Sequence, residues 1–199
     1  MSYTYLLGIV AGLLSVSAYP IYIRDIYRGE TRPSKVTWWI LALLNIVLTA
    51  SYYASGARST IWIPVSYSIG FTIIAVLSIT KGEGSWEKTD YLCLLGAVLT
   101  LLLWWRYQSA ELALYFILVT DFIGLSPTMY KSYKRPWTES KQSWSIALFA
   151  SAINIVAIDT WTLAVALYPF YLLVTNALIT GFILFPIHKN LEILNTSPV

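Results

Sequence analysis

Ser126-Pro127-Thr128-Met129-Tyr130-Lys131-Ser132-Tyr133-Lys134-Arg135, continuing through Trp137-Thr138-Glu139-Ser140-Lys141-Gln142-Ser143-Trp144, carries the pattern that decides the fold. An apolar segment closes on a proline, aromatic and basic residues follow, and Ser-Lys, a hydroxyl residue and Trp precede the next apolar run. A degenerate copy stands earlier, in Pro20-Ile21-Tyr22-Ile23-Arg24-Asp25-Ile26-Tyr27-Arg28-Gly29 followed by Thr31-Arg32-Pro33-Ser34-Lys35-Val36-Thr37-Trp38. Two copies of one boundary predict an internal repeat of membrane helices.

The surroundings of both copies fit a bilayer. The chain has 199 residues, 57% apolar and 12% charged, and its apolar residues come in blocks of spanning length. Seven segments are expected, over Tyr3–Ile23, Val36–Ala54, Thr60–Ile79, Tyr91–Tyr107, Leu112–Tyr130, Trp144–Ile158 and Thr160–Ile187. The fourth and sixth are short for a span. The first is expected to remain as a helix, since it lacks the basic start and small-residue cleavage site of a signal peptide. Eleven basic residues fall in alternate loops or after the last segment, and only Arg58 and Arg106 lie in the others. The positive-inside rule then places the N-terminus outside and the C-terminus in the cytoplasm, and the plasma (inner) membrane is the expected location because nothing in the chain reads as an organelle address.

The repeat divides the chain into a first three-helix unit (1–82), a linker helix (83–109), a second three-helix unit (110–189) and a cytoplasmic tail (190–199). Ser34-Lys35 matches Ser140-Lys141, Trp38 matches Trp144, and Pro64 matches Pro169. Two three-helix units run parallel only if one extra helix turns the chain between them. The expected fold is therefore an all-α integral membrane protein of seven transmembrane helices, two parallel repeats joined by an inversion linker.

Ser126-Pro127-Thr128, Tyr130-Lys131, Tyr133-Lys134 and Thr138-Glu139-Ser140 with Gln142-Ser143 resemble the inner end of the fifth helix and the following loop of SWEET sugar transporters, within the wider PQ-loop group. The resemblance implies a 3+1+3 parallel architecture, transport of a small polar solute with sugar as the first choice, and Asn176 as a substrate contact. The chain departs from the group in having Ile21 and Thr128 after the repeat prolines, where a Pro-Gln pair is usual, and in having Pro64 and Pro169 in third helices.

Asp121 is the most informative single residue. It falls near the middle of the fifth segment, where a charged side chain costs on the order of 3 kcal/mol by insertion scales. It is a candidate for proton coupling or substrate binding, against a structural carboxyl bonded to a neighbouring helix. Asn45, Asn154 and Asn176 are candidate solute contacts or interhelical hydrogen-bonding groups. Tyr67, Phe71, Tyr168 and Tyr171 are candidate stacking residues or packing. Pro20, Pro64, Pro127 and Pro169 are candidate hinges, because each removes a backbone hydrogen bond. Gly8, Gly12 and Ser15 make a small-residue stripe for close helix packing. Asp25 with Arg24 or Arg28 is a candidate inner gate pair.

Cys93 and His188 are the only residues of their types, so neither an intrachain disulfide nor a thiolate or imidazole metal cluster is expected. No cofactor and no nucleic-acid partner are expected; the partners are a small polar solute and the lipid bilayer, with homo-oligomerisation left open. The functional reading is alternating access by two three-helix units, with coupling to protons open. The alternative is a non-transporting receptor or sensor on the same scaffold, which would call for buried basic residues. A retinal protein would need a lysine within Trp161 to Pro186, which contains none. An enzyme is least expected, since no His, Cys or second carboxylate is evident at the depth of Asp121.

Overall fold

The computed structural model describes residues 2–29, 33, 35–82 and 84–186. Expectations placed on Thr31, Arg32, Ser34, Glu83, His188, Lys189 and the 190–199 tail lie outside the described residues. Every regular element among those described is helical: α1 (Tyr3–Val16), α2 (Ala18–Tyr27), α3 (Lys35–Ala54), α4 (Trp62–Lys81), α5 (Lys88–Tyr107), α6 (Ala110–Lys134), a 3-10 turn at Pro136–Thr138, α7 (Lys141–Val156) and α8 (Leu163–Leu184). Five stretches are long and apolar enough to cross a membrane: Tyr3–Tyr27 (α1 with α2), α4, α5, α6 and α8. Their outward faces carry Leu6, Leu13, Ile69, Val76, Leu95, Leu102, Val119 and Val174, all exposed, as lipid contact requires. The chain is a helical, multi-pass membrane protein.

Local chemistry explains the element boundaries. The first segment is broken at Ser17, and Pro20 supplies the reason: it has no N–H to offer the Val16 carbonyl four residues back. The Ser17 hydroxyl instead donates to the Leu14 carbonyl at 2.6 Å. The expected short fourth segment is a full 20-residue helix, because Glu87 and Asp90 form a capping box that starts it at Lys88. Ser140 caps α7 and Thr162 caps α8, each accepting the backbone N–H three residues on. The 16-residue α7 stays short for a span.

The packing follows one order twice. α4 packs on both α1 and α3, and α8 packs on both α6 and α7. The two groups meet through α1 against α7 and through α3 against α6, while α5 rests on α6 and α3. A buried cluster including Leu44, Leu48, Tyr52, Leu114, Ile117, Val165 and Tyr168 fills the contact between them.

The small-residue stripe on α1 sets how closely it approaches α4. A Cβ on Gly8 would overlap the Ser59 carbonyl, and one on Gly12 would come within 2.7 Å of the Trp62 Cβ. Gly70 on α4 likewise leaves room for the Tyr19 ring. Gly8→Ala is therefore expected to destabilise by about 1–3 kcal/mol, the usual cost of overpacking. At Gly181 an added methyl meets nothing within 4 Å, so Gly181→Ala is expected to be neutral or stabilising by up to ~1 kcal/mol. Thermal unfolding of the solubilised variants measures both, and equal midpoints would show that α1 does not rest on α4 through this contact.

Candidate functional site

A cavity of about 460 Å³ lies between the two helix groups. Helical spacing of three and four residues builds its walls. Trp38, Leu41, Asn45 and Leu48 come from α3, Tyr67, Phe71 and Ile74 from α4, and Asp121, Gly124, Leu125 and Thr128 from α6. Tyr168, Tyr171, Leu172, Thr175 and Asn176 come from α8.

The two walls differ in chemistry. On the side of α2 to α4, Phe71 stacks on Tyr67 with ring centroids 5.4 Å apart and meets Trp38 edge to face at 5.2 Å. Trp38 in turn lies 5.3 Å from Tyr22. On the α6 and α8 side, the Tyr171 hydroxyl donates to Asp121 Oδ2 at 2.6 Å. Asn176 Nδ2 donates to the Ala147 carbonyl at 3.3 Å, which ties α8 to α7. Asn45 Nδ2 donates to the Leu41 carbonyl one turn back at 3.1 Å.

One end of the cavity is closed. Pro169 lies inside α8 and cannot donate to the Val165 carbonyl. The Tyr52 hydroxyl, from α3 in the other group, donates to that carbonyl at 2.7 Å and bonds Thr60 Oγ1 at 2.6 Å. The Tyr52 ring packs on Tyr168 at 4.9 Å, and neither side chain is exposed by more than 1%. Beside them the Ser59 hydroxyl donates to Asp159 Oδ2, joining the α3–α4 loop to the α7–α8 loop.

At the opposite end the lining runs out to exposed Glu87 and Lys131. Lys131 pairs with Glu139 at 3.0 Å and Arg24 with Asp25 at 2.9 Å. Each pair stays within its own helix group, so neither bridges the opening. The Asp25 pair thus differs from the expected gate: adjacent residues on one helix cannot reach across.

The chain matches no family model, no curated protein and no solved structure. The site's own chemistry has to carry the reading.

The structure brings together Asn45, Tyr67, Phe71, Asp121, Tyr168, Tyr171 and Asn176, with Trp38 added to them. Asn154 is not among the lining residues. It shares a face with Ala147 but lies seven residues further along α7, roughly 10 Å at the helical rise, and is fully buried. Cys93 does line the cavity, its Sγ 3.7 Å from the Thr120 carbonyl, so a thiol lies near Asp121 after all: α5 packs against α6 and brings it there.

The prolines separate into three cases. Pro20 accompanies the break at Ser17, and Pro169 opens a carbonyl inside α8. Pro127 lies within α6, where the Ile123 carbonyl takes the Ser126 hydroxyl at 2.7 Å. Pro64 is the third residue of α4, in the first turn, where the N–H would have no intrahelical partner. The reading of Pro64 as a hinge is corrected on that ground.

Tyr52 is not among the candidates read from the sequence; its role depends on a carbonyl that lies 113 residues away. Tyr52→Phe keeps the ring and strips the donor from the Val165 carbonyl. A loss of about 1–3 kcal/mol is expected, the cost of leaving a buried polar group unsatisfied. Denaturant or thermal unfolding of the purified variant checks it, and an unchanged stability would mean the hydroxyl does not hold the closed end.

Proposed function

We propose that the protein is a transporter or facilitator of a small polar solute, working by alternating access between two three-helix units. The observation that supports this best is the cavity itself. It lies between two helix groups, is closed at one end by contacts that cross from one group to the other, and carries at its other end two ion pairs that each stay within one group.

In this reading α1 with α2 counts as one bent span, which gives seven. α1 to α4 form the first unit, α5 is the inversion linker, and α6 to α8 form the second. The recurrence of one packing order in both groups supports the repeat, as does the reciprocal pairing of α1 with α7 and α3 with α6. A SWEET-like 3+1+3 architecture accounts for the same pattern. The end at Asp25 and Lys131 carries the basic helix termini and faces the cytoplasm under the positive-inside rule, which makes this an inward-facing conformation.

Rocking the units apart at Tyr52 and Ser59 and together at Asp25 and Glu139 would expose the same cavity to the other side. Asp121 is the candidate for proton coupling. Sugar is the substrate suggested by the resemblance.

Asn45→Cys in a Cys93→Ala background tests the mechanism. A membrane-impermeant maleimide is expected to react from the cytoplasmic side in the absence of solute and from the outside once the units rock. Simultaneous reaction from both sides would indicate a pore, and reaction from one side under all conditions would indicate a receptor. In proteoliposomes, Asp121→Asn is expected to abolish any dependence of uptake on a proton gradient; unchanged dependence would make Asp121 structural.

A further inference from the structure

The deep part of the cavity holds tyrosine hydroxyls, two amides and one carboxyl group. Among the described residues, Asp121 is the only charged side chain at that depth; the nearest lining cation, Lys131, is ten residues further along α6, roughly 15 Å at the helical rise, and is engaged by Glu139. Tyr171 donates to Oδ2 of Asp121, and Asp121 lines the cavity. The amide nitrogens of Asn45 and Asn176 each give one of their two N–H groups to a backbone carbonyl. Tyr168 lines the same space, is 1% exposed, and its hydroxyl has no hydrogen-bond partner. The same space is lined by the mutually packed rings of Trp38, Tyr67 and Phe71, an apolar surface for a ligand's body.

Among the described residues, Asp25, Glu87, Asp90, Glu139 and Lys131 line the opening, with Asp25 paired to Arg24 and Glu139 to Lys131.

We propose that the ligand is an amine, protonated or quaternary and without a carboxylate, held with its cationic head at Asp121 and its apolar body against Phe71, Trp38 and Tyr67. This deepens the transporter reading and rests on the same cavity. A neutral polyol would forgo the carboxylate's charge. An amino acid would bring a second carboxylate into a site with no basic group to receive it, a strongly unfavourable arrangement in a low-dielectric interior.

The test uses the purified full-length protein in detergent and compares tyramine, benzylamine and choline with 4-(2-hydroxyethyl)phenol, the neutral isostere of tyramine, and with tyrosine. At least one amine is expected to raise the thermal midpoint and to bind at least about tenfold more tightly than the neutral isostere, a factor equivalent to ~1.4 kcal/mol; tyrosine is expected not to bind. Asp121→Asn is expected to abolish amine binding. Phe71→Leu, which keeps bulk and removes the ring, is expected to weaken it, and stands as the deciding variant if Asp121→Asn does not fold. Equal binding of the isostere, silence across all three amines, or full binding by the variants would overturn the proposal. Flux in proteoliposomes separates the two readings: amine binding without flux removes transport and keeps the amine site, whereas flux of a neutral solute with no amine binding removes the amine site and keeps transport.

Discussion

Inside a hydrocarbon layer a backbone carbonyl without a donor costs several kcal/mol, and Pro169 creates one at Val165. Tyr52 supplies the missing donor from the other helix group. One backbone defect in α8 is thus closed only when the two groups come together at that end. The Tyr52 and Tyr168 rings and the Ser59 to Asp159 bond then seal the same place. A kink left to itself would have been satisfied by a side chain on its own helix, as the Ile123 carbonyl is by Ser126. Placing the donor on the opposite group instead couples backbone satisfaction to closure.

With one end sealed, the shape of the interior follows. α1 is drawn close to α4 by Gly8 and Gly12, and α2 turns at Ser17 so that Tyr19 can lie over Gly70. The bend moves Tyr22 and Asp25 to the rim. The result is a cavity to which one group gives Trp38, Tyr67, Phe71 and Asn45 and the other gives Asp121, Tyr168, Tyr171 and Asn176. A ligand that touches both walls contacts both groups, which is the condition for its binding to respond to their relative position.

Much of the site was legible because depth and residue type are properties of the sequence. Asp121 stood out as a carboxylate inside an apolar run, and Tyr67, Phe71, Tyr171 and Asn176 as ring and amide groups near the prolines. Asn154 looked equivalent to them and was not, because periodicity assigns a face but not the axial level at which a cavity ends. Pro64 misled for a related reason: its effect depends on where α4 begins, and the helix begins two residues before it. The length of α5 was missed although its signal, Glu87 and Asp90 three residues apart, was present. Trp38 was read as a repeat marker, and only the packing turned its ring toward Phe71.

The sequence by itself determined that this chain is a bundle of membrane helices, where most of them run, and which few polar groups must lie among apolar neighbours. Those are consequences of transfer free energy and helix geometry, which act segment by segment. The tertiary structure decided which of those polar groups share a cavity and which end of it is sealed. These depend on the rotation and axial offset of one helix against another. That placement is set by close contacts such as Gly8 on Ser59 and Tyr52 on Val165, between residues whose separation in the chain carries no trace of their meeting.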